Sequence, residues 1–555
     1  MAKIKVFSLG GLDEVGKNCI VIEVNEQIFI FDSGLKYLNN IDLGINSVIP
    51  DFSFLIENQK KIRGLFLSKI ETSKAHSISY LLKKIPHLTV YLTATSKEIL
   101  KGLNLLTEQQ INKNLHVLND QHLQFNNVKL QMFSTATSMP GSCGYILSTQ
   151  DGDIVYTGSI VIKSKFNTNL FSTDLSGLIK EKPLPTLLLI QNVEEVATEG
   201  FTVPNNRIDN WITKAVEKTE ENLYITCYEN DWYKIYNTIK YLLKLSPRPK
   251  ISFFNDKYGN FFHKIMKKLD DKLRGLQLTP FKEIKRNTKQ KNVIFFTGDQ
   301  KWLFSRVVRL LHTKSTETNL TEKDYVLLLG ENKFNTELSV VNILNELYKS
   351  EAKIDFVSQR KIFPMEGAAE DLCFLLNMIR PRYFLPFNSY HKELIKAQDL
   401  AEKTGMPNKN IWIMNNGEKM ILENGKVIDY YEAVKSNSVF VDSINNINIS
   451  DSIILERKTA AIEGIIFIGF AYKTNKNYQQ ICSDIQIELR GVANDVLKIN
   501  KIKNEIEKAI EVFFNQNQKS SKKDNIIKRL QATTEKIIYK EVKKKPLIFP
   551  LIIEN

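Results

Sequence analysis

Residues 8–34, SLGGLDEVGKNCIVIEVNEQIFIFDSG, place a Gly-Gly turn ahead of two apolar runs and end on Asp32, Ser33 and Gly34. CIVIEV and QIFIF flank a two-residue turn at Asn25-Glu26, which reads as a hairpin. The second run is apolar on both faces, as a strand buried between two layers should be. Taken alone, the Gly-Gly pair is weak evidence and Asp32 could simply cap a turn.

Working outward, the first 160 residues continue mostly as strands and hairpins. HLQF-NN-VKLQMF alternates about Asn126-Asn127, with Val128, Leu130 and Met132 on one face. YILSTQ-DG-DIVYTGS reads as a hairpin turning at Asp151-Gly152. Helices are expected after Ser77 and around SKEILKGLNLL. From about 200 to 350 the strands NLYITCY, KISFFN, NVIFFTG and DYVLLLG alternate with amphipathic stretches, the pattern of an α/β layer with a largely parallel sheet. AEDLCFLLNMIRP predicts a helix with Leu372, Leu375, Leu376 and Ile379 on one face and Pro381 beyond its end. RYFLPFNS then returns as a buried strand. Residues 436–452, polar and rich in Asn and Ser, read as a linker into a smaller α+β unit. There Ile502, Ile506, Ile510 and Phe513 form a helical stripe, and NQNQKSSKKDN reads as an exposed loop.

Composition narrows the function classes. At 555 residues, 43% apolar and 25% charged, the chain has the make-up of a multidomain globular protein. No apolar run has signal-peptide or membrane-spanning length, so a cytoplasmic location and no membrane contact are expected. Five dispersed cysteines make no CxxC pair, which argues against a zinc ribbon or a disulfide framework. The seven histidines form no HxH or HxxxH pair. The net charge of +14 concentrates in Lys498–Lys545, with fourteen Lys/Arg against six Asp/Glu, and in Lys264–Arg286. Such clusters can neutralise nucleic-acid phosphates, or can be solvated helix faces of a lysine-rich protein.

The stretch FLSKIETSKAHSISYLLKKI (66–85) is a strand end, a polar loop and an amphipathic helix. In α/β folds, chemistry usually sits at such a loop. Here it holds Lys69, Glu71, Ser73, Lys74 and His76, which match no motif of a working site.

The string GGLDEVGKN, a strand ending D-x-G, and VIPDFSFLIEN (48–58) resemble, in this order, the ribonuclease J family of the metallo-β-lactamase fold. The likeness continues through IVYTG (154–158), GFT (200–202), FFTGDQ (295–300), MIRPRYFLPFNS (378–389), VFVD (439–442) and ELRGV (488–492). The resemblance implies an α/β (α+β) architecture: a four-layer metallo-β-lactamase sandwich over 1–200 and 356–435, a β-CASP domain inserted at 201–355, a linker at 436–452, and a C-terminal α+β domain at 453–555. It also implies 5′-to-3′ exoribonuclease and endonuclease chemistry through two zinc or manganese ions that activate water.

On this chain the family's HxHxDH pattern falls on Lys69, Glu71, Ser73 and Lys74. The histidine before Ser-x-Pro becomes Thr137, the bridging aspartate Ser159, the last ligand histidine Asn388, and the assisting histidine of the SGHA motif Glu366. Only Glu71 retains a ligand atom suited to the family's ions. A cation beside an ammonium is repelled by about 4 kcal/mol per unit charge pair at 4 Å and an effective dielectric of about 20. No cofactor or bound metal is therefore expected. The two lysines either take over the ions' structural role or mark drift in an exposed loop. His76 is read as structural rather than as a displaced ligand.

By the same resemblance, TGDQ and FSRVVR lie along an RNA channel, which makes Thr297, Gly298, Gln300 and Arg306 the RNA-contact candidates. The plainer reading is a strand-to-helix turn. Trp302 either stacks on a base or anchors that turn. The expectation is a degenerate, catalytically inactive ribonuclease J-like subunit. Its partners would be RNA and an active ribonuclease J paralogue, in a hetero-oligomer, or a second copy of itself. Family members associate through the metallo-β-lactamase and C-terminal domains. The alternatives are an active nuclease with a rebuilt site and a stand-alone RNA-binding protein.

Overall fold

The computed structural model describes residues 2–555 apart from 39–46, 119–121, 163–169, 181–184, 206–207, 287–289, 313–319, 330–336, 358–360, 430–432, 442–447, 450, 475–477 and 517–522. The chain packs as two units. The first is Met1–Asn39 with Val48–Val439, and the second includes Phe440–Asn555.

The hairpin expected at Asn25-Glu26 forms. Cys19–Val24 pairs antiparallel with Gln27–Phe31, closed by Val24 opposite Gln27, and both turn residues take positive φ (46° and 66°). That backbone matches the right-handed twist of the flanking strands. The hairpin anchors an eight-stranded sheet. On one side lie Lys3–Gly10, Lys419–Glu423 and Lys426–Asp429; on the other the parallel strands Ile62–Phe66, Val90–Leu92 and Leu115–Val117. A six-stranded sheet faces it, ordered Tyr383–Phe387, Thr186–Asn192, Gly152–Tyr156, Cys143–Thr149, Val128–Ser134 and Leu123–Phe125.

Phe29, Phe31 and Phe66 from one sheet pack with Tyr145, Tyr156 and Phe387 from the other, all fully buried. Phe29 and Phe31 face this shared core while Ile28 and Ile30 are buried on the other face of the sheet, which is why QIFIF is apolar on both faces. On the far side of the six-stranded sheet lie helices Ala369–Ile379 and His391–Lys403, with Leu372, Leu375, Leu376 and Ile379 facing it as the periodicity predicted. The return segment thus completes the four-layer sandwich. The inserted layer is an all-parallel five-stranded sheet, ordered Lys250–Phe253, Asn292–Gly298, Asn222–Tyr228, Tyr325–Leu328 and Lys353–Phe356.

In the second unit, Ile465–Thr474 pairs antiparallel with Gln486–Arg490 and Gln479–Ile481, and parallel with Leu547–Glu554. Helices Val496–Gln516 and Lys523–Val542 pack on it through Ile466, Ile468, Ile502, Ile506, Ile510 and Ile538.

Several local expectations shift. The hairpin read at Asp151-Gly152 turns instead on Gln150-Asp151, because Thr149 pairs with Gly152, whose φ of 134° starts the strand. The stripe through Ile510 continues to Phe514, four residues on, and Phe513 only flanks it. The segment 436–452 is not wholly a linker: Phe440 and Val441 pair with Ile449 and Asn448, and a helix runs Asp451–Glu463. Its residues 442–447 and 450, like 517–522 of the expected NQNQKSSKKDN loop, lie outside the described residues. Among the described residues no helix is long and apolar enough to cross a membrane.

Candidate functional site

The carboxyl ends of the parallel strands gather the side chains the sequence singles out. Asp32 follows strand Gln27–Phe31 in a left-handed conformation (φ 64°) and is fully buried. It accepts hydrogen bonds from Ser68 N (2.7 Å), Ser68 Oγ (2.8 Å) and Tyr156 Oη (2.5 Å). Two residues on, Gly34 lies against the loop 69–75, where a Cβ would collide with the carbonyl of Ser73. The backbone closes the contact: Ser33 N donates to Lys74 O (2.6 Å) and Leu35 N to Thr72 O (2.8 Å). The D-x-G ending is therefore a docking surface for the loop, with glycine set by the close approach.

The loop presents its charges inward. Lys69, 2% exposed, places Nζ 3.0 Å from Glu71 Oε2 and 2.5 Å from Glu366 Oε1. Ser73 Oγ donates to Glu71 Oε1 at 2.6 Å. Desolvation pulls the Lys69 ammonium towards its neutral form, and the carboxylates of Glu366 and Glu71 more than reverse this, so its pKa lies above the ordinary lysine value. Lys74 is fully buried, with Nζ 3.9 Å from Asp32 Oδ2 and 4.5 Å from the centre of the Phe387 ring. Burial pushes Lys74 down and Asp32 up, each towards its neutral form, and their mutual attraction only partly offsets it.

Hydrogen bonds from uncharged side chains occupy the remaining positions. Thr137 Oγ1 shares a bond with Ser142 Oγ (2.7 Å). Ser159 Oγ accepts from Asn192 Nδ2 (2.8 Å). Asn388, at φ 61°, donates to Asn192 Oδ1 (3.2 Å) and Glu194 Oε2 (3.0 Å) and accepts from Gly16 N (3.2 Å). His76, partly buried on the cleft wall, is held down to about 4 by desolvation, against the pull of Glu71.

A cleft of about 480 Å³ opens above these loops. Glu71, Glu194, Glu229, Asp231, Asp299 and Glu366 line it, and Lys36 is the single lysine or arginine among its described lining residues. Sequence reasoning missed this acidity. The signal was available: Glu194, Glu229 and Asp299 each follow closely on the end of an apolar strand, at Asn192, Tyr228 and Gly298. Of the RNA-contact candidates, Thr297 is fully buried in its strand and Gly298 ends it. Arg306 Nη1 is paired with Glu229 Oε1 at 2.7 Å and also donates to the Thr297 carbonyl. Gln300 starts helix Gln300–His312; its side chain and that of Trp302 lie outside the described residues.

The donor set does not fit a pair of divalent ions. Among the described residues, no three His, Cys, Asp or Glu side chains converge as metal ligands. The two loop carboxylates that come closest already share the Lys69 ammonium. A two-ion centre needs open, deprotonated ligands rather than a fixed cation between them.

Two outcomes follow. Lys69→Met leaves two buried carboxylates facing each other and costs about 3–5 kcal/mol, the range for breaking a buried ion pair. The loss is read as a lower urea midpoint, and adding Glu71→Gln and Glu366→Gln recovers most of it. For His76, whose folded value of about 4 lies below the ordinary histidine value, the unfolded chain takes up the proton first as pH falls. Stability should therefore decline between about pH 6.5 and pH 4. In a series of melting temperatures across that range, His76→Gln should flatten the decline.

Comparison with known proteins finds likeness along nearly the whole chain. Residues 452–555 match the ribonuclease J C-terminal domain. Over nearly the full length, the chain is 27% identical across 562 residues to a protein named ribonuclease J 2 of Staphylococcus epidermidis, covering 99% of this chain and 98% of that one. It is 28% identical across 564 residues to ribonuclease J 2 of Staphylococcus aureus, with the same coverage. A crystal structure of an Enterococcus faecalis protein of unknown function superposes with a TM-score of 0.52 at 14% identity, over 76% of this chain and all of that one, a likeness of fold alone. Along 99% of its length the chain is thus similar to proteins named ribonuclease J 2, and its C-terminal unit matches the ribonuclease J C-terminal domain.

Proposed function

We propose that this chain is a ribonuclease J-type subunit of RNA processing and decay that carries out no metal-dependent hydrolysis of its own. It acts by associating with RNA and with an active ribonuclease J paralogue. The observation that carries the reading is the Lys69 ammonium fixed between Glu71 and Glu366. In the family's chemistry, two divalent ions would activate water and stabilise the displaced oxygen. An ammonium can balance the charge of nearby carboxylates, but it cannot lower the pKa of a bound water as a Lewis acid does.

The acidity of the cleft supports the same reading. Without divalent ions to offset them, its carboxylates repel the phosphates of an RNA strand, and Arg306 is already committed to Glu229. The association reading draws on the C-terminal sheet. Phe467 and Phe549 stack at 5.6 Å, and Leu551 and Ile553 continue the same outward face of their strand, all exposed. A contiguous apolar patch of this kind suits a protein partner.

The test is affinity purification from the native cell, followed by metal analysis and an RNA-decay assay on each separated subunit. The expected result is co-purification with an active paralogue, no stoichiometric zinc or manganese on this chain, and no cleavage of 5′-monophosphorylated RNA by this chain alone. Cleavage that disappears with Glu71→Gln or His76→Gln would instead establish a rebuilt active site. RNA binding without any co-purifying nuclease would favour the stand-alone RNA-binding reading.

A further inference from the structure

At the opposite end of the sandwich from the acidic cleft lies a groove of reversed character. Strand Tyr383–Phe387 leads at its carboxyl end into Ser389 and Tyr390, which line the cleft. At its amino end, about 16 Å away for five extended residues, stand Arg382 and Tyr383. This strand is the edge of the six-stranded sheet, and Lys426–Asp429 is the edge of the eight-stranded sheet. Between the two edges an open groove of about 570 Å³ is lined by Arg382, Tyr383, Lys409, Trp412, Lys426 and their neighbours, with no carboxylate among its described lining residues.

Its parts are held in place. Trp412 N donates to the Phe384 carbonyl (2.9 Å), and the half-buried indole packs against the sandwich core. The Arg382 guanidinium lies 5.4 Å from the centre of the Tyr383 ring. Arg382, Lys409 and Lys426 are exposed, and among the described residues none of the three makes an ion pair with a carboxylate. A basic surface of a stable protein usually intersperses acids with its lysines. Three uncompensated cations around a fixed indole combine instead the two elements that hold single-stranded nucleic acid: charge for phosphates and an aromatic ring for bases.

We propose that this groove binds single-stranded RNA, with Arg382, Lys409 and Lys426 on the phosphates and Trp412 against a base. It rests on the reading of the chain as an RNA-handling subunit and places the RNA away from the cleft. An acidic segment of a protein would satisfy the cations but would leave the indole without a planar partner, so RNA is the better match.

The experiment is fluorescence anisotropy of a labelled oligouridylate with the full chain, across a series of KCl concentrations. Arg382→Ala/Lys409→Ala/Lys426→Ala should weaken binding at least tenfold and flatten the log–log salt dependence by about 2, since each single-strand phosphate contact contributes about 0.7. Trp412→Leu, in protein with an unchanged melting temperature, should weaken binding about fivefold or more while leaving the salt slope unaltered. A control that removes the same charge elsewhere, Lys528→Ala/Arg529→Ala/Lys536→Ala, should cost less. If the groove triple variant binds like the parent while the control loses affinity, the groove assignment fails and the RNA-handling reading survives. If the parent chain binds no RNA, both fall. Groove-dependent binding of a poly-glutamate peptide, without RNA binding, would overturn the proposal in favour of a protein ligand.

Discussion

The ammonium of Lys69, 2.5 Å from Glu366 and 3.0 Å from Glu71, is the interaction on which the rest of the strand-end architecture depends. A carboxylate cluster this buried needs a cation, and here the cation is covalently part of the chain. It ties the loop after strand Ile62–Phe66 to the return segment 297 residues later, across the whole inserted domain. Such a pair is costly to break, although an apolar substitute for all its members need not be. The consequence for chemistry is direct. A tethered ammonium neutralises charge without offering an open coordination position, which is the ground for proposing that this loop works without a Lewis acid.

The frame around it is built from close contacts. Asp32 accepts from Ser68 and Tyr156, Gly34 lets the loop approach, and Asn388 sits at φ 61° at the end of its strand. At the strand tips Thr137 and Ser159 are knitted into neutral hydrogen bonds, Asn388 donates to Asn192 and to the Glu194 carboxylate, and Lys74 lies buried over Phe387. The molecule thereby separates two surfaces by charge, an acidic cleft at one end of the sandwich and a basic aromatic groove at the other.

Much of this was legible because it is local. The Asn25-Glu26 turn, the two-sided apolar strand before Asp32 and the helix at Ala369–Ile379 follow from patterns a few residues long. The candidate site positions could be picked out because each stands at a fixed place in a motif that the sequence resembles. The pairing of Lys69 with Glu366 was not, because nothing local couples residues so far apart in sequence. Nor was the acidity of the cleft, which is assembled from the ends of separate strands. The turn read one residue late at Asp151-Gly152 failed for a related reason: the dipeptide favours a turn, but the cross-strand register decides which residues occupy it. The basic groove joins Arg382, Lys409 and Lys426 only once two sheet edges meet.

The most direct measurement of the central claim is anomalous diffraction at the manganese edge from crystals of the full chain grown in millimolar Mn²⁺. The account predicts no anomalous peak among Lys69, Glu71, Lys74 and Glu366, with density for the Lys69 side chain continuous between the two carboxylates. Two peaks at the strand ends, with Lys69 swung away, would contradict it.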